Sequence, residues 1–423
     1  MSILHGASAV KISSEKVVVV LGRTIDALGS IVFLKMLSSL ADKNDVGNYL
    51  LASSYLAMLL TISFSAFDQG LLRNVAEYRA QGSLAVRYSA MLLAYSLLAA
   101  VLSCALVSVL SGFDLAVSLH AVLAPLSLWL AFEAVKNLNA TVASGLRSRS
   151  LIALASAVDY GCRLALLWAV FTWAMVTATA ILYLLAAASL VAAGVFMVGH
   201  RALLTRFSAE HLRRTLIDSI KFSWPMIFWG LFGWLQNMAN RWLLSHFADL
   251  ATVAEYGVLV AIASFPVTAL LGVLVTYVVP ILYERESAAP GSSRPIVRRL
   301  ALWLLPVSGL LVAAGAVWHR DIVILLSGVQ YAERSHVLPI IMASACFSAV
   351  CSVLTYAVFA QRRVATLLLA NTLPGVFSLA FGYLAVSRYQ FNGAVLTLVL
   401  GHLVAGTLYV ATFARATHAW QKS

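Results

Sequence analysis

Apolar runs recur from one end of the chain to the other, and polar positions fall mostly in the short gaps between them. A membrane-crossing helix needs about 20 mostly apolar residues. Twelve stretches reach that length: 17–41, 46–72, 88–112, 116–145, 151–173, 175–199, 222–247, 252–283, 300–319, 335–360, 365–386 and 391–414. The gaps predicted for one side of the membrane are short: 42–46, 112–116, 173–175, 248–252, 320–335 and 387–391. No gap is long enough to fold as a separate domain. The longest connection on the other side runs from His200 to Lys221. There Leu203, Leu204, Phe207, Leu212, Leu216 and Ile220 recur at helical spacing between Arg206, Arg213, Arg214 and Lys221. That pattern suits a helix lying on an anionic leaflet, and it equally suits a solvated basic linker. Glu284 to Arg299 contains ESAAPGSSRP and reads as a flexible loop.

One pattern repeats. Residues 37–49 read LSSLADKNDVGNY and residues 244–256 read LSHFADLATVAEY, an ungapped offset of 207 positions in 423. Leu37/Leu244, Ser38/Ser245, Ala41/Ala248, Asp42/Asp249, Val46/Val253 and Tyr49/Tyr256 coincide. Both copies join one apolar segment to the next at the same point of their half. The chain reads as a duplicated membrane unit, with halves 1–210 and 211–423. Repeated halves with a site at their interface are a common plan for secondary transporters.

Composition agrees with lipid as the solvent. The chain is 61% hydrophobic and 11% charged, with mean hydropathy +0.90; a soluble domain has about 25% charged residues. The net charge of +12 does not point to nucleic acid. One set of connections holds 20 Lys and Arg, and the alternate set holds four: Lys43, Arg320, Arg334 and Arg388. The positive-inside rule makes the first set cytoplasmic. Both termini are then inside, in the cytoplasmic (inner) membrane of a bacterium. The first apolar segment carries Arg23, Asp26 and Lys35, so it does not read as a cleavable signal. The four cysteines lie inside predicted spans with no metal or disulfide spacing. No cofactor is expected.

Charges within spans cost about 2.5–3.5 kcal/mol each at the bilayer centre on insertion scales. Most lie in the first half: Arg23 and Asp26 in the first span, Asp68 in the second, Glu133 and Lys136 beside Asn137 in the fourth, Asp159 and Arg163 in the fifth. The seventh carries Arg241 next to Asn240. Arg23/Asp26 and Glu133/Lys136 are i, i+3; Asp159/Arg163 is i, i+4 with the acid first. Asp68 is within reach of Arg23 or Arg73. Lys35 and Arg241 lie near outer helix ends, where a long side chain can snorkel. Two readings are open. The charges neutralise each other and lock helices together, or they line a hydrated cavity whose arginines grip a phosphorylated or acidic head group.

The run Arg23–Thr24–Ile25–Asp26, the stretch LSSLADKNDVGNYLL, and AFDQGLLRNVAEYRA at the end of the second span resemble the polysaccharide (O-antigen, Wzx-type) flippases. These belong to the multidrug/oligosaccharidyl-lipid/polysaccharide (MOP) exporter superfamily. ILLSGVQYAERSHVLPII and the Arg362–Arg363 turn are similar in the second half. The resemblance implies an all-α integral membrane fold, MATE-like, with about 12 transmembrane helices in two pseudo-symmetric six-helix bundles. It implies flipping of undecaprenyl-diphosphate-linked oligosaccharide by alternating access, with Arg23, Asp26, Asp68, Glu133, Lys136, Asn137, Asp159, Arg163 and Arg241 as cavity residues. Membrane lipids, a polysaccharide polymerase and chain-length machinery are the expected partners, and H+ or Na+ the candidate coupling ion. Many relatives carry an Asp where this chain has Asn240–Arg241, so no cation-coupling role carries over to that helix. The alternatives are a multidrug or metabolite antiporter of the same superfamily, or a membrane polymerase, ligase or acyltransferase. Against an enzyme stand the short external loops and scattered histidines.

Overall fold

The computed structural model describes residues 3–111, 118–205, 208–289, 291–361 and 364–420. The expected loop at 112–116, the Arg362–Arg363 turn, and Arg206 and Phe207 of the connection lie outside the described residues. Among the described residues the regular structure is helical. A chain this apolar has one economical way to satisfy its backbone in lipid, which is to bond it within helices.

The first six spans are α1 (Ile3–Leu40), α2 (Lys43–Ser63) continued by α3 (Ser65–Ala80), α4 (Leu84–Ser111), α5 (Ser118–Gly145), α6 (Arg149–Trp173) and α7 (Ala178–Gly199). Then follow α8 (Ala209–Phe247), α9 (Leu250–Ala288), α10 (Ser293–Leu326), α11 (Leu338–Ala360) and α12 (Leu368–Trp420). Taking α2–α3 as one interrupted span, and α12 as two spans joined at a break, gives the expected twelve. The break in α12 is at Gln390, whose φ of 45° is left-handed. Gly393 follows it because a Cβ there would collide with the carbonyl of Ala385 across the turn. Nine of the described helical segments are long and apolar enough to cross a membrane by length and composition. Their outer faces carry large exposed apolar side chains, such as Leu310 at 73% and Leu97 at 59%. This is a multi-pass membrane protein.

The repeat has a structural counterpart. α1 ends at Leu40 and α2 begins at Lys43; α8 ends at Phe247 and α9 begins at Leu250. Both boundaries keep the offset of 207. Asp249 caps α9, its Oδ1 accepting from the Thr252 amide at 2.7 Å, and Asp42 holds the matching position. Two expectations shift. The segment from Ala209 to Lys221 is helical, as its spacing predicts, but it is the first part of α8 rather than a separate helix. Its buried face is Thr215, Ser219 and Ser223 rather than the leucine face. These residues are four apart and form one ridge, and Gly70 of α3 packs against Ser219. On the other side, the predicted gap at 320–335 begins later, because α10 passes through a kink at Trp318 and continues to Leu326.

Contacts divide the chain into two compact units. Unit 1 is 1–42 with 55–227, and unit 2 is 43–54 with 228–423. In unit 1, α5 packs on α4 and α7, and α6 packs on α1 and α7. One of its core clusters is Ala143, Ala155 and Phe196, with Leu151, Ile152 and Val195 packed against it. In unit 2, α11 packs on α9, α10 and α12, over Leu282, Val297, Leu304, Val353 and Ala357. The first turns of α2 belong to this unit. Gly47 lies so close to Leu250 that a Cβ would meet its carbonyl oxygen. Trp234 and Trp242 donate to the carbonyl and hydroxyl of Ser54, each at 2.8 Å.

Candidate functional site

Five polar side chains meet where α5, α6 and α7 of unit 1 pack together. Lys136 is their centre. Its ammonium lies 2.9 Å from Glu133, one turn earlier on α5, and 2.9 Å from Asp159 on α6. Arg163 grips Asp159 with Nε and Nη2, both at 2.9 Å. Ser189 of α7 donates to Glu133 at 2.7 Å. The four charged side chains are only 9–15% exposed. Two acids and two bases cancel, which offsets part of the cost of holding them among apolar helices. The Arg163 guanidinium also lies 5.2 Å from the Tyr160 ring, against which Gly29 of α1 packs. Asn137 is half-buried on α5, about 100° around the helix from Lys136.

Arg23 and Asp26 stand apart from this cluster. Gly22 of α1 packs against Ala153 and Gly29 against Tyr160. The residue numbers rise together, so α1 and α6 run parallel at an offset of 131. Arg163 is then level with Val32, nine residues past Arg23, or about 14 Å along the axis. Arg23 approaches Asp26 only to 3.8 Å, and the two side chains are 56% and 35% exposed. Its guanidinium therefore keeps donors available to a ligand.

Asp68 of α3 faces inward. The Tyr95 hydroxyl of α4 donates to its Oδ1 at 2.9 Å, and Thr141 supplies a second side-chain hydrogen bond. The structure thus gives this carboxylate hydroxyl partners, where the sequence pointed to Arg23 or Arg73. Nearby, Tyr88 donates to Asn139 at 2.6 Å, and His200 Nδ1 lies 3.3 Å from the same amide oxygen.

Arg241 lies in unit 2 and does not snorkel. Its Nε is buried, and Nη1 donates to the Leu50 carbonyl of α2 at 3.3 Å. Neighbouring Asn240 donates to Tyr256 and to the Ala394 carbonyl. A second charge cluster lies in this unit, unforeseen from the sequence. Glu255 of α9 pairs with Lys43 at 2.6 Å and with Arg334 at 3.2 Å. Lys43 lies 5.7 Å from the Tyr331 ring, and Arg334 lies 4.5 Å from that of Phe391. Ser189 and Glu255 gave no signal in the sequence, because each finds its partner only across helices.

No protein-family model and no curated protein sequence matches the chain. Solved structures do match in three dimensions, across nearly its whole length. An inward-facing multidrug-resistance MATE-family transporter of the MOP superfamily superposes with a TM-score of 0.72 at 13% identity, covering 95% of this chain and 96% of that one. The lipid II flippase MurJ, in an inward closed conformation, gives 0.71 at 10% identity over 95% and 89%. The chain shares the fold of these two proteins. The Vibrio cholerae MATE transporter VcmN, in its bent form, gives 0.64 at 15% identity over 96% and 98%. Among the described residues the fold is all-α, as the sequence led us to expect, and the proteins that share it here are transporters and a flippase.

Proposed function

We propose that this protein flips undecaprenyl-diphosphate-linked oligosaccharide, the repeat unit of an O-antigen, capsule or exopolysaccharide, across the bacterial cytoplasmic membrane by alternating access. The duplicated halves 1–210 and 211–423 supply the two bundles, the termini are cytoplasmic, and a polymerase and chain-length machinery receive the product. The O-antigen-flippase-like motifs around Arg23 and Asp68 support this reading, as does the likeness in fold to a lipid II flippase. The observation that carries it is the contrast between two arginines. Arg163 is spent on Asp159, with two hydrogen bonds. Arg23 is more than half exposed and only loosely held by Asp26, so its fork is free to bind a diphosphate in two-point fashion. Arg23 is the binding residue, and Glu133, Lys136, Asp159 and Arg163 position the helices behind it.

The test is genomic substitution of Arg23. Arg23→Ala should leave lipid-linked oligosaccharide on the inner leaflet with the protein at normal abundance. Arg23→Lys keeps the charge without the fork and should retain partial transport. Normal surface glycan in the Ala strain would overturn the assignment.

One observation favours a second reading, a proton-coupled multidrug or metabolite antiporter. Asp68 is an inward-facing carboxylate held by the Tyr95 and Thr141 hydroxyls, with no ion pair among the described residues, so taking up a proton breaks no salt bridge. Proteoliposomes carrying the protein would then drive uptake of a cationic dye under a pH gradient, and Asp68→Asn would abolish it.

A further inference from the structure

A groove of about 620 Å³ opens in unit 2 between the first turns of α10 and the last turns of α12. Arg294, Arg298 and Arg299 stand along its rim, and Leu302, Val410 and Phe413 line it. Phe413 packs on the core cluster beneath, while Leu302 and Val410 are 56% and 44% exposed. The groove is charged at one end and apolar along its length.

Among the described residues the charge at that end is only partly neutralised. Glu286 caps the start of α10, accepting from the amides of Gly291 at 2.8 Å and Ser293 at 3.0 Å. It also interacts electrostatically with Arg294. That leaves Arg298 and Arg299, both exposed, with no carboxylate partner among the described residues. Leu302 lies four residues past Arg298 and three past Arg299, so it neighbours both on the helix surface and lies between them. These arginines belong to the basic set of connections that the proposed orientation places at the cytoplasmic leaflet, whose anionic lipids attract such residues.

We propose that this groove holds an anionic glycerophospholipid, its phosphate between Arg298 and Arg299 and one acyl chain along Leu302, Val410 and Phe413. A solvated loop would need the arginines but not the apolar floor. A lipid-facing helix pair would need the floor but not two unpaired guanidinium groups at its mouth. The site lies outside the charged cluster of unit 1. It rests on the proposed orientation but not on the identity of the transported substrate.

Native mass spectrometry of the purified full-length protein, titrated with dioleoyl phosphatidylglycerol or dioleoyl phosphatidylcholine, tests this. Wild type should bind phosphatidylglycerol more tightly than phosphatidylcholine. The double variant Arg298→Gln/Arg299→Gln should lose about 30-fold in phosphatidylglycerol affinity and little for phosphatidylcholine. Val410→Trp, which keeps both arginines and fills the groove, should weaken both lipids. Removing equal charge elsewhere, with Arg201→Gln/Arg213→Gln, should change neither.

Unchanged phosphatidylglycerol binding in the 298/299 double variant would overturn the proposal, as would an equal loss in the 201/213 variant. Displacement of the lipid by millimolar inorganic phosphate would reduce the groove to an anion site and overturn it too. Stronger competition by undecaprenyl phosphate would make it a vestibule for the substrate lipid, which is a different proposal. A reporter fused after Ser292 that reads out as external would refute the orientation while leaving lipid binding intact, so the two failures can be told apart.

Discussion

Arg163 donates to both oxygens of Asp159 from one turn further along α6, Nε to Oδ1 and Nη2 to Oδ2, each at 2.9 Å. Lys136 of α5 approaches Oδ2 at the same distance. The carboxylate thus joins two helices through two cations, and removing one partner changes the charge of a nearly closed cluster. Arg163→Ala leaves three charges with a net negative one and should cost about 3–5 kcal/mol, the range for breaking a buried pair. Adding Asp159→Ala leaves Lys136 paired with Glu133 alone, neutral again. The double variant should regain much of the abundance and melting temperature lost in the single one. A double variant no better than Arg163→Ala would show that the cluster is not held by charge balance.

Close glycine packing gives a second test with an internal control. A side chain at Gly47 would strike the Leu250 carbonyl, whereas nothing lies within 4 Å of a Cβ built at Gly233. Gly233→Ala should be neutral or stabilise α8 by up to about 1 kcal/mol, through its better helix propensity. Gly47→Ala must displace backbone and should destabilise by about 1–3 kcal/mol. Thermal melts of the two purified variants should move in opposite directions, or only the Gly47 variant should fall. Equal melts would refute the close approach of α2 to α9.

The site was partly legible in the sequence. The i, i+3 and i, i+4 spacings identified Glu133/Lys136 and Asp159/Arg163, because those partners share a helix face. The bond from Lys136 to Asp159 joins positions 23 apart across two helices, and no periodicity encodes it. The offset of 207 located both helix breaks, since a polar capping run interrupts an apolar stretch whatever the packing. The continuity of residues 209–221 with α8 is not legible in the sequence, for a physical reason. The leucines of this segment mark one stripe, but the tighter contact is made by the smaller Thr215, Ser219 and Ser223 face, and hydrophobicity does not report close packing of small residues. The extension of α10 beyond Trp318 was hidden because His319, Arg320 and Asp321 look like a loop in sequence.

His200 predicts a pH effect on unit 1. Burial holds its imidazole below the usual 6.5. Its Nδ1 faces Asn139, and its Nε2 is buried with no hydrogen-bond partner among the described residues. Protonation would put a donor where there is no acceptor. The folded state therefore binds fewer protons than the unfolded chain below 6.5. The stabilisation is fully present above that pH and is lost as pH falls through 6.5 toward the lowered value. Melting temperature should drop between about pH 7 and pH 5, and His200→Gln should flatten the drop. An unchanged slope in the variant would move the effect to another group.

Glu255 is predicted to matter more than either of its cations. It pairs with Lys43 at 2.6 Å and Arg334 at 3.2 Å and is 13% exposed. Lys43→Met removes one cation and leaves Glu255 bonded to Arg334, so its cost should be small. Glu255→Gln leaves two cations close together with no counter-charge, and should cost about 1–3 kcal/mol as their hydrogen bonds go unmet. The charge swap Lys43→Glu/Glu255→Lys separates this arrangement from a simple pair. An isolated pair would survive the exchange, but here the new lysine at 255 would face Arg334 and repel it. The swap should therefore remain destabilised, and adding Arg334→Glu should recover it. Full recovery in the swap alone would show that Arg334 contributes nothing and that the cluster is an ordinary two-residue bridge.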